Sequence, residues 1–284
     1  MMEKTTGELP LRFEDIAQDG RLMLEPLPAG LTPLWRVVEA RARGWLATGS
    51  IPIICRITAQ AGDGPFGMEE PLQVEGAFSL AHTADEAGQV QRLVFDADVA
   101  FTGKVGRTTL APPDDAGRVV PAGSLRVEHV FTRPFAPKEE RRVTFLEEDG
   151  QRFVPPARRA WKEPRSTLDV PAGARPLGED FVRDEVPLVL GLTHTDSNQH
   201  VNSLFYPRSF EDAALRHLKR LGRSTEMLGR RLDIAFRRPS FAGEVLHVHL
   251  RAYEVGRATV CTGVFVGEGE PPASSRVYVQ LSLE

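Results

Sequence analysis

The last third of the chain shows the clearest alternation of apolar and polar positions. Between residues 203 and 221, apolar side chains recur at helical spacing, which predicts a long amphipathic helix with Pro207 in its first turn. An apolar run at 186–192 predicts a strand ahead of this helix. Strand-like segments follow the helix at 232–237, 244–254, 258–267 and 275–283. This order predicts a helix packed on an antiparallel sheet.

The first half of the chain repeats the order less regularly. Residues 11–24 predict an extended lead-in segment with a turn at Asp19-Gly20. A helix follows from Pro33, with an apolar stripe formed by Leu34, Val38, Ala42 and Trp45. Strands are predicted at 51–59, 72–81 and 90–101. The repetition predicts two similar halves, although their direct sequence identity is negligible.

Between the halves, the pattern becomes irregular. Residues 109–123 and 155–180 are rich in Pro, Gly and charged residues and are predicted to be connections. A strand pair at 125–131 and 141–145 lies between them, and the pattern leaves open whether it extends the first sheet. We therefore predict an α+β protein in which each half packs a long helix on an antiparallel sheet. The predicted boundaries are an N-terminal half at 1–150, a linker at 151–182 and a C-terminal half at 183–284.

One short segment concentrates the candidate chemistry. Asp196, Asn198, His200 and Asn202 fall within seven positions, immediately ahead of the long predicted helix. Such dense polar groups need partners if they are buried, and an ordinary exposed loop more often carries Lys, Glu and Gly. This pattern indicates a functional site.

The run from Asp196 to Asn202, with Tyr206 after it, resembles the signature of plant and bacterial acyl-acyl carrier protein thioesterases. The spacing Asp-x-Asn-x-His-Val-Asn-x-x-x-Tyr is met without a gap. The pair Phe210-Glu211 is similar to the wider 4-hydroxybenzoyl-CoA thioesterase group. The resemblance implies a double hotdog fold, in which two hotdog halves form one pseudo-dimer with one active site. It also implies a thioester hydrolase.

Thioester hydrolysis assigns roles to the three central residues. Asp196 would act as a general base on water or attack the carbonyl directly, and the sequence does not choose between these. Asn198 would orient the water or the substrate carbonyl through its amide. His200 would polarise the thioester or carry a proton near neutral pH.

Further residues are candidates for substrate binding. Asn202 either contacts substrate or caps the following helix. Tyr206 and Glu211 lie on that helix, Tyr206 packing under the loop and Glu211 either joining the site or pairing with an arginine. The backbone amides at 201–203 are expected to form an oxyanion hole, because N–H groups at a helix N-terminus are unpaired and favour negative charge.

The sequence departs from the plant enzymes at one place. Where those enzymes carry a Glu and a Cys with catalytic or supporting roles, this chain has Pro239 and Ser240. In the first half, Asp15–Arg21 aligns with the motif but lacks its His and both Asn residues. We therefore expect the C-terminal half to carry the chemistry and the N-terminal half to keep a degenerate site.

Composition narrows the class of protein. A net charge of −4 gives no basic footprint for nucleic acid, and no apolar run approaches the roughly 20 residues that span a bilayer. Cys55 and Cys261 lie in apolar runs and are expected to be free thiols. His247-x-His249 is too weak a signal for a metal, so no metal and no cofactor are expected. We expect a cytoplasmic enzyme that acts on an acyl thioester, with an acyl carrier protein as one candidate partner. The sequence leaves the oligomeric state open, since two hotdog halves in one chain make a monomer feasible and such folds often assemble further.

Two other classes of function stay open from the sequence. A hotdog protein without the Glu and Cys could bind acyl thioesters without hydrolysing them. Another hotdog reaction, hydration or dehydration of an acyl thioester, uses a differently placed Asp-His pair and ranks last. The sequence leaves open the acyl group and the choice between carrier protein and coenzyme A.

Overall fold

The computed structural model describes residues 3–148 and 150–284. Its contacts divide the chain into two compact units. The first unit comprises Met1–Leu22 and Pro26–Lys162, and the second comprises Met23–Glu25 and Glu163–Glu284. Among the described residues, no helix has the length and apolar character needed to cross a membrane.

The first unit is built on an antiparallel sheet. Its strands are β1 (Glu3–Leu9), β2 (Ile51–Ala61), β3 (Leu72–Ala84), β4 (Val90–Lys104) and β5 (Val119–Thr132). They pair in the order β1-β3-β4-β5-β2. A separate small hairpin follows, formed by β6 (Leu146–Glu148) and β7 (Gln151–Phe153).

Helix α1 (Thr32–Ala47) packs on one face of this sheet. Trp45 lies edge-on to Phe131 of β5 at 5.2 Å, and Trp35 lies 5.6 Å from Phe95 of β4. Of the predicted apolar stripe, Val38, Ala42 and Trp45 are buried as expected, whereas the side chain of Leu34 lies outside the described residues. Burial of each large side chain of this kind contributes about 1.5–3 kcal/mol.

The second unit repeats the arrangement. Its strands are β8 (Arg175–Arg183), β9 (Leu188–Val189), β10 (Gly229–Phe236), β11 (Val245–Val255), β12 (Ala258–Gly267) and β13 (Val277–Leu283). They pair antiparallel in the order β10-β13-β12-β11-β8, with the short β9 also paired to β11. The predicted run of strands after the long helix is confirmed.

Helix α2 (Phe205–Arg220) packs on this second sheet. Phe265 of β12 is fully buried and meets Tyr206 at 5.1 Å and Phe210 at 6.3 Å. Gly263 makes this close approach possible, because a Cβ there would stand 2.6 Å from the Phe210 ring. Each unit is therefore one long helix on an antiparallel sheet, and the predicted α+β double hotdog fold is confirmed.

The region between the halves is more structured than the sequence pattern indicates. The predicted strand at 125–131 belongs to β5, which pairs with both β2 and β4. The prediction for 141–145 is wrong: the segment forms no strand, and Arg142 makes only an isolated bridge to Thr132. The segment expected as a linker, 151–182, contributes β7 and most of β8.

Candidate active site

The motif folds as a tight hairpin ahead of α2. Thr195 and Val201 form an antiparallel bridge, the Asp196 N–H donates to the His200 carbonyl at 3.1 Å, and the Gln199 N–H donates to the Asp196 carbonyl at 3.0 Å. Gln199 has a φ of 66°, the left-handed conformation that closes a three-residue hairpin loop. Backbone geometry therefore fixes the loop independently of any ligand.

The hairpin sets the direction of its side chains. Val201 is buried, and its N–H donates to the carbonyl of Ser240 at 2.8 Å. Successive residues of a strand face opposite sides, so His200 faces away from the core. Asp196 lies across from His200, and cross-strand neighbours on one face have Cβ atoms about 5 Å apart. The acid and the imidazole therefore share one solvent-facing side.

The polar groups at the hairpin tip are available for chemistry. Asp196 Oδ1 accepts the N–H of Asn198 at 2.8 Å, whereas Oδ2 has no hydrogen-bond partner among the described residues. Within the same described part of the chain, neither the side-chain amide of Asn198 nor the His200 ring has a hydrogen bond. The His200 ring lies edge-on to Phe241 with centroids 6.4 Å apart. One carboxylate oxygen is thus anchored, and the other can face a substrate.

Asn202 supports the start of helix α2. Its Oδ1 accepts the N–H of Leu204 at 2.8 Å, and its carbonyl accepts the N–H of Phe205 at 3.0 Å. These bonds occupy its side-chain oxygen in the turn that leads into the helix. The helix itself has Leu204 at its N-cap and no side-chain cap bond, so Asn202 shapes the turn before the helix, and its role in substrate binding stays a prediction.

The expected oxyanion hole at 201–203 needs a correction. The Val201 N–H is bonded to Ser240, and the Asn202 N–H donates to the His194 carbonyl at 2.9 Å. Both amides are consumed by the backbone bonds that hold the hairpin, so neither can bind an oxyanion. In the described part of the chain, the Ser203 N–H has no acceptor and remains a candidate donor.

Tyr206 packs against the sheet of the second unit, next to Ser240. It is buried and lies edge-on to Phe236 and Phe265, with centroids 5.8 Å and 5.1 Å away. Burial raises the pKa of its hydroxyl, and the adjacent Ser240 side chain opposes that rise. Ser240, at the position where the plant enzymes have Cys, therefore stands directly against the motif.

Glu211 lies elsewhere on the helix. Its Oε1 accepts the N–H of Gly229 at 2.8 Å, at the start of β10, whereas Ser240, which holds the hairpin, follows the other end of that strand. Burial raises the pKa of Glu211 to about 7, with Glu25 and Asp212 adding to the rise and the Gly229 N–H opposing it. The contacts of Glu211 do not join it to the motif, and a role in substrate binding stays a prediction.

Two further residues stand behind the site and were not identified from the sequence. Glu244 Oε2 accepts the N–H of Phe241 at 2.7 Å and pairs with Arg276 at 2.5 Å. Both charges also act on the Tyr206 hydroxyl. The pair fixes the segment that carries Ser240 and Phe241. The Gly243-Glu244 turn was a visible signal for Glu244, but Arg276 lies 32 residues further on and no local pattern indicates it.

The same hairpin occurs in the first unit. The Ala17 N–H donates to the Arg21 carbonyl at 2.8 Å, the Gly20 N–H donates to the Ala17 carbonyl at 2.9 Å, and Gly20 has a φ of 90°. Hydrogen bonding thus equates Ala17 with Asp196 and Asp15 with His194. The sequence alignment that set Asp15 against the motif acid was wrong by two residues. The first unit has kept the turn and lacks the acid.

Comparison of the two hairpins leads to a stability prediction. Gln199→Gly should raise the free energy of unfolding by about 0.5–1 kcal/mol, since it relieves left-handed strain at the cost of more chain entropy in the unfolded state. Urea unfolding measures the change, and Ser197→Gly in the same loop is the control, which we expect to be destabilising. A Gln199→Gly protein no more stable than the wild type would contradict this reading of the turn.

The described residues form no site suited to metal binding or to thiol chemistry. Within them, no group of three or more His, Cys, Asp or Glu side chains is placed to hold a metal ion. Cys55 and Cys261 are free thiols, as expected, and burial raises the pKa of each to about 12. The candidate chemistry is thus that of the hairpin's carboxylate, amide and imidazole.

A family model matches part of the second unit. Residues 198–271 match the thioesterase superfamily, and this span begins inside the motif and includes α2, β10, β11 and β12. The matched span lies within the C-terminal half of the chain. The match confirms the enzyme class expected from the sequence, a thioester hydrolase. Comparison with curated proteins found no match.

Solved structures similar to this chain cover both units. One is a protein from Lactobacillus plantarum provisionally named oleoyl thioesterase, at 12% identity and a TM-score of 0.61, covering 100% of this chain and 96% of that one. An acyl-ACP thioesterase from Bacteroides thetaiotaomicron gives 14% identity, a TM-score of 0.57 and coverage of 99% and 98%. The 12:0-ACP thioesterase from Umbellularia californica is 12% identical with a TM-score of 0.54, and the match covers 100% of this chain and 94% of that one. At these identities, the likeness establishes the shared fold.

Proposed function

We propose that this protein is an acyl thioesterase that hydrolyses acyl-ACP or acyl-CoA thioesters with the hairpin at residues 196–202. The observation that carries the proposal is the state of Asp196. One carboxylate oxygen is fixed by the Asn198 N–H, and the other has no partner among the described residues while facing the same side as His200. A carboxylate held in this way is prepared for attack or for proton transfer.

As a general base, Asp196 takes a proton from water while the water oxygen bonds to the thioester carbonyl carbon. The tetrahedral intermediate collapses, the C–S bond breaks, and the thiolate takes the proton to leave as a thiol. As a nucleophile, Asp196 instead bonds to the carbonyl carbon and the C–S bond breaks, which leaves a mixed anhydride and a thiolate. Water then hydrolyses the anhydride to the free acid and restores Asp196, and the proton released goes to the thiolate. Both routes consume one water and release one acid and one thiol.

The neighbouring groups suit the remaining steps of either route. The His200 ring is partly exposed and free of hydrogen bonds among the described residues, so it can polarise the thioester or pass a proton to the thiolate. The Asn198 amide can orient the water or the carbonyl. The Ser203 N–H, just ahead of α2, is the candidate donor to the developing oxyanion.

The carrier of the acyl group is a finer question. Solved proteins that share the fold over their whole length include acyl-ACP thioesterases, which supports a carrier-protein thioester as substrate. Coenzyme A thioesters present the same reacting bond on the same pantetheine arm. We propose that the enzyme acts in fatty acid metabolism in the cytoplasm.

A second candidate function is acyl-thioester binding without turnover. It is favoured by Pro239 and Ser240, which put neither a carboxylate nor a thiol in the segment against the motif. In this alternative, the hotdog slot would hold the thioester and Asp196 would only shape the turn.

Thiol release from a panel of acyl-CoA and acyl-ACP thioesters separates the two functions. Hydrolysis that follows the acyl chain length supports the thioesterase and identifies its substrate class. A folded protein that binds the thioesters in a calorimeter but releases no thiol would establish the binding protein instead. Incubation with an enoyl thioester in the same series tests the hydratase alternative, for which we expect no change in absorbance.

A further inference from the structure

A cleft on the second unit lies away from the motif. It has a volume of about 480 Å³, within the range of small-molecule sites. Its walls come from a 3-10 helix at Pro164–Leu168 and from β8 and β11. The lining residues are Arg165, Ser166, Leu168, Asp169, Phe181 and Arg251.

The cleft lies on the face of the sheet opposite to α2. Phe265 packs against α2, so Val264 and Val266 face the other way, and Leu168 packs on that second face. Arg251 donates to the Leu168 carbonyl at 3.1 Å, which places it on the same side. None of the lining residues takes part in the motif hairpin, so the cleft is a separate feature of the unit.

Arginines without carboxylate partners mark this face. Arg183, Arg165 and Arg251 form no ion pair among the described residues. By contrast, Arg216 and Arg220 on α2 are paired with Asp184 and Glu185. Unpaired guanidinium groups on one face are the arrangement that binds phosphate.

One of these arginines is fixed in position. The Arg251 guanidinium lies between two rings, 4.9 Å from the centroid of Phe181 and 5.2 Å from that of Tyr253, and also donates to Thr262. Stacking of this kind is attractive and limits the rotamers of the side chain. An arginine held in advance loses little entropy when an anion binds.

Two histidines beside the cleft have pKa values that its positive charge helps to lower. His249 lies opposite Arg183 in the sheet, and His247 and His249 share the face of Arg251. Burial lowers the pKa of each histidine, and Arg183 lowers it further. Both imidazoles are therefore biased towards the neutral form, and the His247 ring already contacts the Arg183 guanidinium at 3.0 Å.

The rest of the lining favours more than a simple anion. Phe181 is 37% exposed, so part of its side chain can contact a planar group while Arg251 lies against its ring. Asp169 is a carboxylate that would repel phosphate but can accept hydrogen bonds from sugar hydroxyls or an exocyclic amine. Arginines, an open aromatic ring and one acid together match the parts of a nucleotide.

We propose that this cleft binds a phosphorylated nucleotide, with Arg165 and Arg251 on the phosphates and Phe181 against the base. The same chemistry has two sources, the nucleotide end of coenzyme A and a free nucleotide. The site goes beyond the hydrolytic reaction, since a carrier-protein thioester presents no nucleotide.

Calorimetry on the full chain with coenzyme A, ATP and pyrophosphate tests the proposal. We expect saturable binding of coenzyme A or ATP, weakened about tenfold or more by Arg165→Gln, because charged hydrogen bonds are worth about 1.5–3 kcal/mol. Phe181→Ala should weaken nucleotide binding more than pyrophosphate binding, because pyrophosphate loses only the stacking that orders Arg251 and a nucleotide also loses its contact with the ring. Arg257→Gln, an exposed arginine in the turn between β11 and β12, is the matched control and should bind like the wild type.

The outcomes distinguish coenzyme A from a free nucleotide as the ligand, and some of them would overturn the proposal. Tighter coenzyme A than ATP would assign the cleft to the thioester's own nucleotide, and the reverse order to a free nucleotide. Absence of binding, equal affinity in Arg165→Gln and Arg257→Gln, or pyrophosphate bound as tightly as ATP would overturn the proposal. Hydrolysis of an acyl-N-acetylcysteamine thioester, which has no phosphate, should be unchanged in Arg165→Gln and reports on the thioesterase independently.

Discussion

Asp196→Asn is expected to lower kcat/KM for acyl thioester hydrolysis by about a thousandfold, the usual contribution of a positioned base or nucleophile. Asparagine has nearly the same shape as aspartate. Its side-chain carbonyl can still accept the N–H of Asn198, the bond that shapes the turn. The substitution therefore removes the basic oxygen and leaves the hairpin. We expect the loss in kcat, with KM changed little, because binding of the acyl chain does not use the carboxylate.

A matched control exists in the first unit. Asp19 stands at the tip of the equivalent hairpin, pairs with Arg21 at 2.7 Å, and occupies the position of Asn198. Asp19→Asn should leave hydrolysis within about twofold, as for a surface change of this kind. Asp196→Asn with wild-type kcat, or an equal loss in both variants, would remove Asp196 from the mechanism.

Glu211→Gln should abolish a fall in stability that the wild type shows between about pH 4.5 and 7. Burial raises the pKa of Glu211 from its ordinary 4.5 to about 7. Below pH 4.5 the group holds a proton in both the folded and unfolded states, so its ionisation has no effect on the free energy of unfolding. As the pH rises towards 7, the unfolded chain ionises first, so stability declines and the full loss is present above 7.

The pKa displacement of Glu211 corresponds to a loss of about 3 kcal/mol at pH 8. Glutamine stays neutral and its carbonyl can still accept the Gly229 N–H. The variant should therefore be more stable than the wild type at pH 8 and similar at pH 4.5. Urea titrations across this range measure the difference, with Glu226→Gln at an exposed glutamate as control. Parallel curves for wild type and Glu211→Gln would show that Glu211 is not held in this way. A changed KM in the same variant would support its predicted role in substrate binding.

The regular elements of the second half could be predicted closely from periodicity. The helix expected at 203–221 is found at Phe205–Arg220. Ser203 and Leu204 lie outside it because they form a turn in which the Leu204 N–H donates to the Asn202 side chain. β8 escaped prediction because Pro176 and Gly178 lie within it. An edge strand tolerates both, and β8 pairs with β11 across a register shift.

The first half shows the same limit. β5 begins earlier than periodicity predicts, at Val119, because Pro121 and Gly123 disguise its first residues. The register against β4 shifts between Phe101 and Thr102, where the proline is accommodated. Irregular pairing of this kind depends on the partner strand, and local sequence cannot report it.

For the candidate site, residue spacing located the hairpin but did not identify the distant residues that bond to it. The contact between Val201 and Ser240 joins residues far apart in the chain, and the Glu244–Arg276 pair spans a similar distance. The oxyanion donors at 201 and 202 were expected to be free because a helix follows. Hydrogen bonding to His194 and Ser240 occupies them instead. Long-range backbone partners therefore decide which groups of a motif remain available.

The most direct test of the account is product analysis of one acyl thioester incubated with wild type and with Asp196→Asn. We predict one free thiol and one free acid for each thioester consumed by the wild type, and a rate about a thousandfold lower in the variant. Binding of the thioester by the wild type with neither product formed would contradict it, and would establish the protein as an acyl-thioester binder.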